Sequence, residues 1–210
     1  MAIPLESLQL LRAPDLPDAV QHTIAQVQQS VLQVRSQGRG LGAAVIWSAN
    51  GRILTNQHVV ANPFVPLSVV FSDGRTSPTR VVKHHPTLDL ALLAIEGDVT
   101  QAVPPARIAE SARLRVGELV FAVGHPWGQR GMVTAGIISG WGRIVYPNGQ
   151  RTVEYILSDV LLGPGNSGGP LVNADGAVVG INTMIQGGDL SVAIPTAEIQ
   201  RWLAPAEHVL

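Results

Sequence analysis

The chain has 210 residues, and 14 Lys and Arg against 15 Asp and Glu give a formal net charge of −1. This near-neutral balance, without a run of basic residues, predicts neither nucleic acid nor a membrane surface as a partner. The absence of cysteine excludes disulfide bonds and thiol catalysis. With 22 glycines, 15 prolines and 46% hydrophobic residues, the composition favours many short strands joined by tight turns.

The first half of the chain predicts a short helix followed by a series of strands. Asp18 is a candidate helix cap, because Val20, Ile24 and Val27 follow it at helical spacing. Asn50-Gly51 is a strong hairpin signal between two apolar runs. Strands are predicted at 31–34, 43–47, 52–55, 67–71, 80–83 and 91–95.

The second half repeats this pattern after a linker at 97–116, which has Pro104-Pro105 at its centre. Strands are predicted at 119–123, 133–139, 153–157, 169–172, 178–182 and 191–194, before a short helix at 198–203. The pattern predicts an all-β fold of two six-stranded antiparallel barrels with short N- and C-terminal helices. We divide the chain into an N-terminal segment and helix, a first barrel and a second barrel, at 1–30, 31–112 and 113–210.

Ser167 is the strongest candidate for a reactive side chain, because it lies in a glycine-rich run at 163–171. Glycines let backbone N–H groups approach a reacting atom without a Cβ in the way. A serine hydroxyl is a weak nucleophile until a base takes its proton. His58 and Asp89 precede it, in the chain order of the two-barrel serine proteases.

Taken together, the motifs resemble the protease domain of the HtrA (Deg) family of trypsin-like serine proteases. The stretches that carry the resemblance are 51–60, 89–93, 164–171 and 179–183, with a weaker match at 192–195. The resemblance covers about residues 30–203. It implies a trypsin/chymotrypsin-like fold and a serine endopeptidase that hydrolyses unfolded or damaged proteins through an acyl-enzyme, without ATP, metal or any cofactor. The alternative is a catalytically idle peptide-binding or chaperone-like protein on the same fold.

The resemblance also implies a role for each residue of the site. Ser167 would be the nucleophile, His58 its base and Asp89 the group that orients the His58 ring. Gly165 and Ser167 would supply the N–H groups of an oxyanion hole, and Thr183 would support Asp89. The substrate-binding pocket would be formed by Leu161, Leu162, Met184, Ile185, Gln186, Ala193 and Ile194. Because none of these is acidic, the pocket favours small or medium aliphatic side chains.

Two competing interpretations of the motifs are weaker. Gly165–Gly169 fits the G-x-S-x-G nucleophile elbow, but a strand-like run rather than a helix follows, and His208 is the only later histidine. Among the other histidines, His84 and His85 are predicted in a surface turn around Pro86. His125 is interpreted, like them, as a surface or satisfied core residue.

The N-terminal segment bears on location and assembly. Residues 1–11 lack the basic and apolar regions of a signal peptide, which predicts a cytoplasmic location, or a periplasmic or other one if an export signal has been removed. HtrA-family protease domains commonly trimerise through this segment, and residues 1–17 are rich in leucine, so we expect a homo-oligomer, specifically a trimer. Residues 204–210 are too few for a PDZ domain, so the expectation is a protease domain without one.

Overall fold

The computed structural model describes residues 16–62, 64–97, 104–145, 152–186 and 190–204. These residues form two helices, α1 at Leu16–Gln29 and α2 at Thr196–Leu203, and twelve strands. The strands of the first half are β1 Val31–Ser36, β2 Arg39–Ser48, β3 Arg52–Thr55, β4 Leu67–Val70, β5 Thr76–His85 and β6 Leu90–Ile95. Those of the second half are β7 Leu119–Gly124, β8 Met132–Val145, β9 Thr152–Ser158, β10 Pro170–Asn173, β11 Val178–Gln186 and β12 Leu190–Pro195.

The strands close into two antiparallel barrels of the same topology. The order around the first barrel is β1-β2-β3-β6-β5-β4, and around the second it is β7-β8-β9-β12-β11-β10. Closure leaves neither barrel with an unpaired sheet edge. The predicted fold of two six-stranded barrels with short terminal helices is therefore confirmed. No helix within the described ranges combines the length and the apolar character that a membrane crossing needs.

The structure corrects several predicted local details. His84 and His85, predicted in a surface turn, instead end β5, where they pair with Ala91 and Leu90 of β6. Barrel closure requires β5 to pair with β6 as far as Leu90, the first residue of β6, so the turn begins only at Pro86. Asp18, predicted as a cap, lies inside the first turn of α1, because that helix begins at Leu16. A carboxylate is also favourable there, next to the positive end of the helix dipole.

Alternation along the strands creates separate hydrophobic clusters. Consecutive side chains of a strand point to opposite faces. Ile53 therefore packs with Leu32 and Leu93 in a cluster of the first barrel, whereas its neighbour Leu54 belongs to a different cluster. That cluster, which we call the inter-barrel core, contains residues of both barrels and both helices: Val27, Leu54, Leu88, Leu90, Phe121, Ile181, Ile194 and Ile199 among others. Each candidate catalytic residue lies next to a strand whose side chains form part of the inter-barrel core.

We expect Leu54→Ala to lower the free energy of unfolding by about 2–5 kcal/mol, because it opens a cavity in the inter-barrel core. Leu54 is 0% exposed, whereas Leu119 is 43% exposed. The matched variant Leu119→Ala should therefore change stability by less than about 1 kcal/mol. Urea unfolding of both variants measures the difference. Equal losses would contradict the assignment of Leu54 to the core.

Candidate active site

Asp89 occupies a strained position between the turn at residue 86 and the start of β6. Its φ of 55° lies in the left-handed region, which aspartate tolerates better than most residues. The backbone is held there by neighbours: the Asn56 side-chain amide and the Gln57 N–H donate to the Asp89 carbonyl, at 3.0 and 3.1 Å. These bonds direct the carboxylate towards the turn at His58–Val60, which follows β3.

The Asp89 carboxylate binds His58 twice and Thr183 once. The His58 backbone N–H donates to Oδ1 at 3.0 Å, while the His58 ring Nδ1 and the Thr183 hydroxyl approach Oδ2 at 2.7 and 2.5 Å. Burial would raise the pKa of the Asp89 carboxyl, but the hydrogen bonds from His58 and Thr183 outweigh it and hold that pKa below its usual value. An ionised carboxylate only accepts, so Nδ1 carries the proton and the lone pair of Nε2 is available as a base.

Ser167 lies between the two barrels and contacts both. The Ala43 N–H of β2 donates to the Ser167 carbonyl at 2.8 Å. The Ser167 hydroxyl donates to the Thr183 carbonyl of β11 at 3.2 Å. Thr183 thus touches Asp89 with its hydroxyl and Ser167 with its carbonyl. Among the described residues, Ser167 makes no hydrogen bond to His58.

The loop around Ser167 needs its glycines. Gly165 and Gly168 have φ values of +106° and +84°, and a Cβ on either would overlap a backbone carbonyl oxygen, that of His125 or of Ala43. The N–H groups of Gly165 and Ser167 donate to no other described residue. Two such donors in one loop are able to stabilise a developing negative charge.

His125 supports this loop from the second barrel. Its backbone N–H donates to the Gly165 carbonyl at 3.2 Å, and its ring Nδ1 accepts the Gly131 N–H at 3.1 Å. The residue is only 5% exposed. Burial lowers the pKa of the His125 ring to about 4, and the nearby charge of Arg130 adds to this effect. His125 is therefore a neutral, hydrogen-bonded residue at ordinary pH, and it touches the candidate site through its backbone.

The predicted pocket residues differ in their exposure. Leu161 is 74% exposed and Leu162 is 9% exposed. Ala193 and Ile194, at 1% and 0%, pack in hydrophobic clusters and present no open surface in this structure. The side chains of Met184, Ile185 and Gln186 lie outside the described residues, as do residues 1–15 and His208.

Gly42, the fourth residue of β2, has a structural role that the sequence motifs do not indicate. In the structure a Cβ on Gly42 would lie 2.8 Å from the Ser167 carbonyl oxygen and from the Val59 side chain. The glycine therefore permits the close approach of β2 to the Ser167 loop. A glycine directly before the apolar run at 43–47 is a sequence signal that is consistent with such a close approach.

Residues 42–181 match the family described as trypsin-like peptidase domain. The chain is 40% identical over 185 residues to the serine protease PepD of Mycobacterium tuberculosis, an alignment that covers 80% of this chain and 39% of the relative. It is 42% identical over 164 residues to a probable periplasmic serine endoprotease DegP-like of Pseudomonas putida, covering 76% and 33%. For the mitochondrial serine protease HTRA2 of Drosophila willistoni the values are 40% over 168 residues, covering 79% and 38%. The chain thus spans well under half the length of these relatives.

Solved structures agree with these matches. The HtrA-type protease AlgW with a tripeptide superposes with a TM-score of 0.75 and 34% identity, covering 90% of this chain and 62% of that one. The same protease with a decapeptide gives a TM-score of 0.73 and 30% identity, covering 85% and 64%. The resemblance to HtrA-type proteases that the motifs predicted is confirmed.

The buried His125 ring should make stability depend on pH. Its folded pKa of about 4 lies below the ordinary histidine pKa of 6.5, so between these values the unfolded state binds a proton that the folded state lacks. The free energy of unfolding should therefore fall as pH drops from 6.5 towards 4, by up to about 3 kcal/mol, and this contribution is complete above pH 6.5.

We expect His125→Asn to remove this part of the pH dependence, because an asparagine does not titrate. His22→Asn is the matched control, since His22 is exposed and its only side-chain hydrogen bond among the described residues is to Gln26. Urea unfolding at several pH values between 4 and 7.5 compares the slopes. An unchanged slope in His125→Asn would show that the ring is not held neutral by burial.

Proposed function

Because the chain belongs to the trypsin-like peptidase domain family, we propose that it is a serine endopeptidase with His58, Asp89 and Ser167 as its catalytic residues. All three lie inside the matched residues 42–181. The observation that carries the proposal is the Asp89 carboxylate, which binds the His58 ring at 2.7 Å while Thr183 bridges it to Ser167. Such an arrangement fixes the imidazole in the tautomer that general-base catalysis needs.

In the proposed first step, His58 Nε2 takes the Ser167 proton while Oγ bonds to the scissile carbonyl carbon. The carbonyl oxygen becomes negatively charged and accepts hydrogen bonds from the Gly165 and Ser167 N–H groups. The C–N bond then breaks, and His58 gives its proton to the leaving amine. This produces an ester between the acyl group and Ser167. A water molecule, deprotonated by His58, hydrolyses the ester and returns the enzyme to its starting form.

The proposed first step requires the Ser167 hydroxyl to turn towards His58. In the structure this hydroxyl donates to the Thr183 carbonyl at 3.2 Å, and no described hydrogen bond joins it to His58. Rotation about the Cα–Cβ bond re-aims the hydroxyl towards His58, and catalytic hydrogen bonds often tighten only when substrate binds. The same observation favours a second candidate, a catalytically idle peptide-binding protein in which the hydroxyl keeps its bond to Thr183.

Substrate, assembly and location belong to the proposal as well. The relatives are named as serine proteases and endoproteases, and the AlgW structures carry short peptides. We therefore propose unfolded or damaged polypeptides as substrates, without a requirement for ATP, metal or cofactor. A homotrimer is the proposed assembly. The relatives' names include periplasmic and mitochondrial proteins, which favours a location other than the cytoplasm.

We expect Ser167→Ala to abolish hydrolysis of casein without ATP or added metal, because the variant lacks the nucleophile. The fold should persist, since the change removes only a partly exposed hydroxyl. Ser139→Ala, at an exposed serine of β8, is the matched control and should retain full activity. Cleavage of casein by pure Ser167→Ala protein would refute the assignment of Ser167 as the nucleophile. No cleavage by any form, with peptide binding retained, would favour the idle alternative.

Asp89→Asn should lower kcat by roughly 10⁴-fold, because an amide favours the wrong His58 tautomer and does not stabilise the imidazolium. The control Asp73→Asn changes an exposed aspartate whose partner is Arg75, at 2.7 Å within the same turn. It should leave kcat unchanged. Steady-state kinetics with a fluorogenic peptide compares the two, and equal rates in Asp89→Asn and wild type would refute the orienting role.

A further inference from the structure

A continuous cleft leaves the Ser167 loop on the side of β2. Its inner part, of about 340 Å³, is lined by Gly42 and Arg39 of β2 and by Gly165. Its outer part, of about 360 Å³, is lined by Arg35 of β1 and by Arg130. The two parts share Gln33, Gly40 and Gly128, so they form one surface. We call this surface the arginine cleft.

The arginine cleft carries uncompensated positive charge. Arg39 and Arg130 are exposed, and among the described residues neither they nor Arg35 form an ion pair with a carboxylate. The nearest acidic residue in sequence to the lining is Asp73, and Arg75 already binds it at 2.7 Å. In a chain with a formal net charge of −1, this is a local concentration of one sign. Such a cleft attracts anions.

The position of the cleft relative to Ser167 assigns it to one side of the scissile bond. Ser167 lies between β2, through the Ala43 N–H, and β11, through the Thr183 carbonyl. The proposed pocket for the acyl side of the substrate lies towards β11, at Leu161 and Met184–Gln186. The leaving amine must lie next to His58, on the first barrel, so the chain that follows the scissile bond runs towards β2 and the arginine cleft.

We propose that the arginine cleft selects polypeptides with acidic side chains in the first few positions after the scissile bond, with Arg39 and Arg130 as the recognising residues. This inference rests on the proposed function, because it names the substrate class of that same site. The planar guanidinium fork matches a carboxylate with paired hydrogen bonds, which favours aspartate and glutamate over neutral amides. Lysine at the same positions would be repelled.

The test uses internally quenched peptides that share one sequence before the scissile bond and carry Asp, Asn or Lys at the second and third positions after it. Wild-type protein should have a kcat/KM about five- to ten-fold higher for the Asp peptide than for the Asn peptide, and lower still for Lys. Raising NaCl from about 0.05 M to about 0.5 M should reduce the difference, since exposed charges are screened. Equal values for all three peptides from active protein would overturn the inference.

The double variant Arg39→Gln/Arg130→Gln should lose the Asp-over-Asn preference. The matched control is Arg113→Gln/Arg143→Gln, which removes the same charge at exposed arginines paired with Glu110 and Glu154 outside the cleft. The control should keep the wild-type ratio. A preference that survives in the cleft variant, or disappears in both variants, would overturn the assignment to Arg39 and Arg130.

A binding measurement separates this inference from the proposed function. Fluorescence anisotropy of the same peptides with Ser167→Ala protein reports the preference without catalysis. If wild type cleaves nothing, the proposed function fails, yet tighter binding of the Asp peptide still supports the arginine cleft. If the three peptides bind equally, the inference fails whether or not wild type is a protease.

Discussion

The hydrogen bonds of the Asp89 carboxylate connect the two barrels at the candidate active site. It accepts hydrogen bonds from His58 of the first barrel and from Thr183 of the second. A carboxylate opening an apolar strand is costly unless partners satisfy it. Here three donors do so, and they hold its pKa low. Any shift of one barrel against the other would break the Thr183 bond and leave a partly buried charge underpaired, so the chemistry of the site also fixes the relative placement of the barrels.

The same strand segments supply both residues of the inter-barrel core and residues of the candidate active site. Leu54 and Leu90, the neighbours of Thr55 and Asp89 in sequence, are fully buried in the inter-barrel core. Thr55 donates to the Ala43 carbonyl at 2.7 Å, beside the Gly168 backbone. Because side chains alternate along these strands, those on one face fill the core, whereas the ends of the strands place polar groups at the candidate active site. The well-packed core therefore holds in place the residues that would perform catalysis.

Much of the fold was accessible from sequence, because strand periodicity and turn signals are local properties. Asn50-Gly51 predicted the β2–β3 hairpin, and each predicted strand has a counterpart in the barrels. His84 and His85 were misplaced, because barrel closure rather than local propensity decides where β5 ends. The motifs predicted Asp89 and Ser167 as site residues, whereas the hydrogen bond of the Ser167 hydroxyl to Thr183 joins it to a strand that lies later in the chain and is a tertiary contact.

The arginine cleft could not be predicted from the sequence either, because it too depends on tertiary contacts. Arg35, Arg39 and Arg130 come from segments of both barrels, and only the approach of β2 to the Ser167 loop makes them neighbours. Similarly, the link between His125 and Gly165 joins two loops that are far apart in the chain. Local patterns identify residue types suited to a chemistry. The tertiary structure decides which of them can act on one substrate.

The most direct test of the central claim is covalent labelling with a fluorophosphonate probe, followed by mass spectrometry of the modified peptide. A hydroxyl activated by a His58 base that Asp89 orients reacts far faster than an ordinary serine. We expect one adduct, on Ser167, and its loss in both His58→Ala and Asp89→Asn proteins. Labelling of Ser167 that persists undiminished without His58, or the absence of an adduct on folded wild-type protein, would contradict the claim that these residues form one catalytic unit.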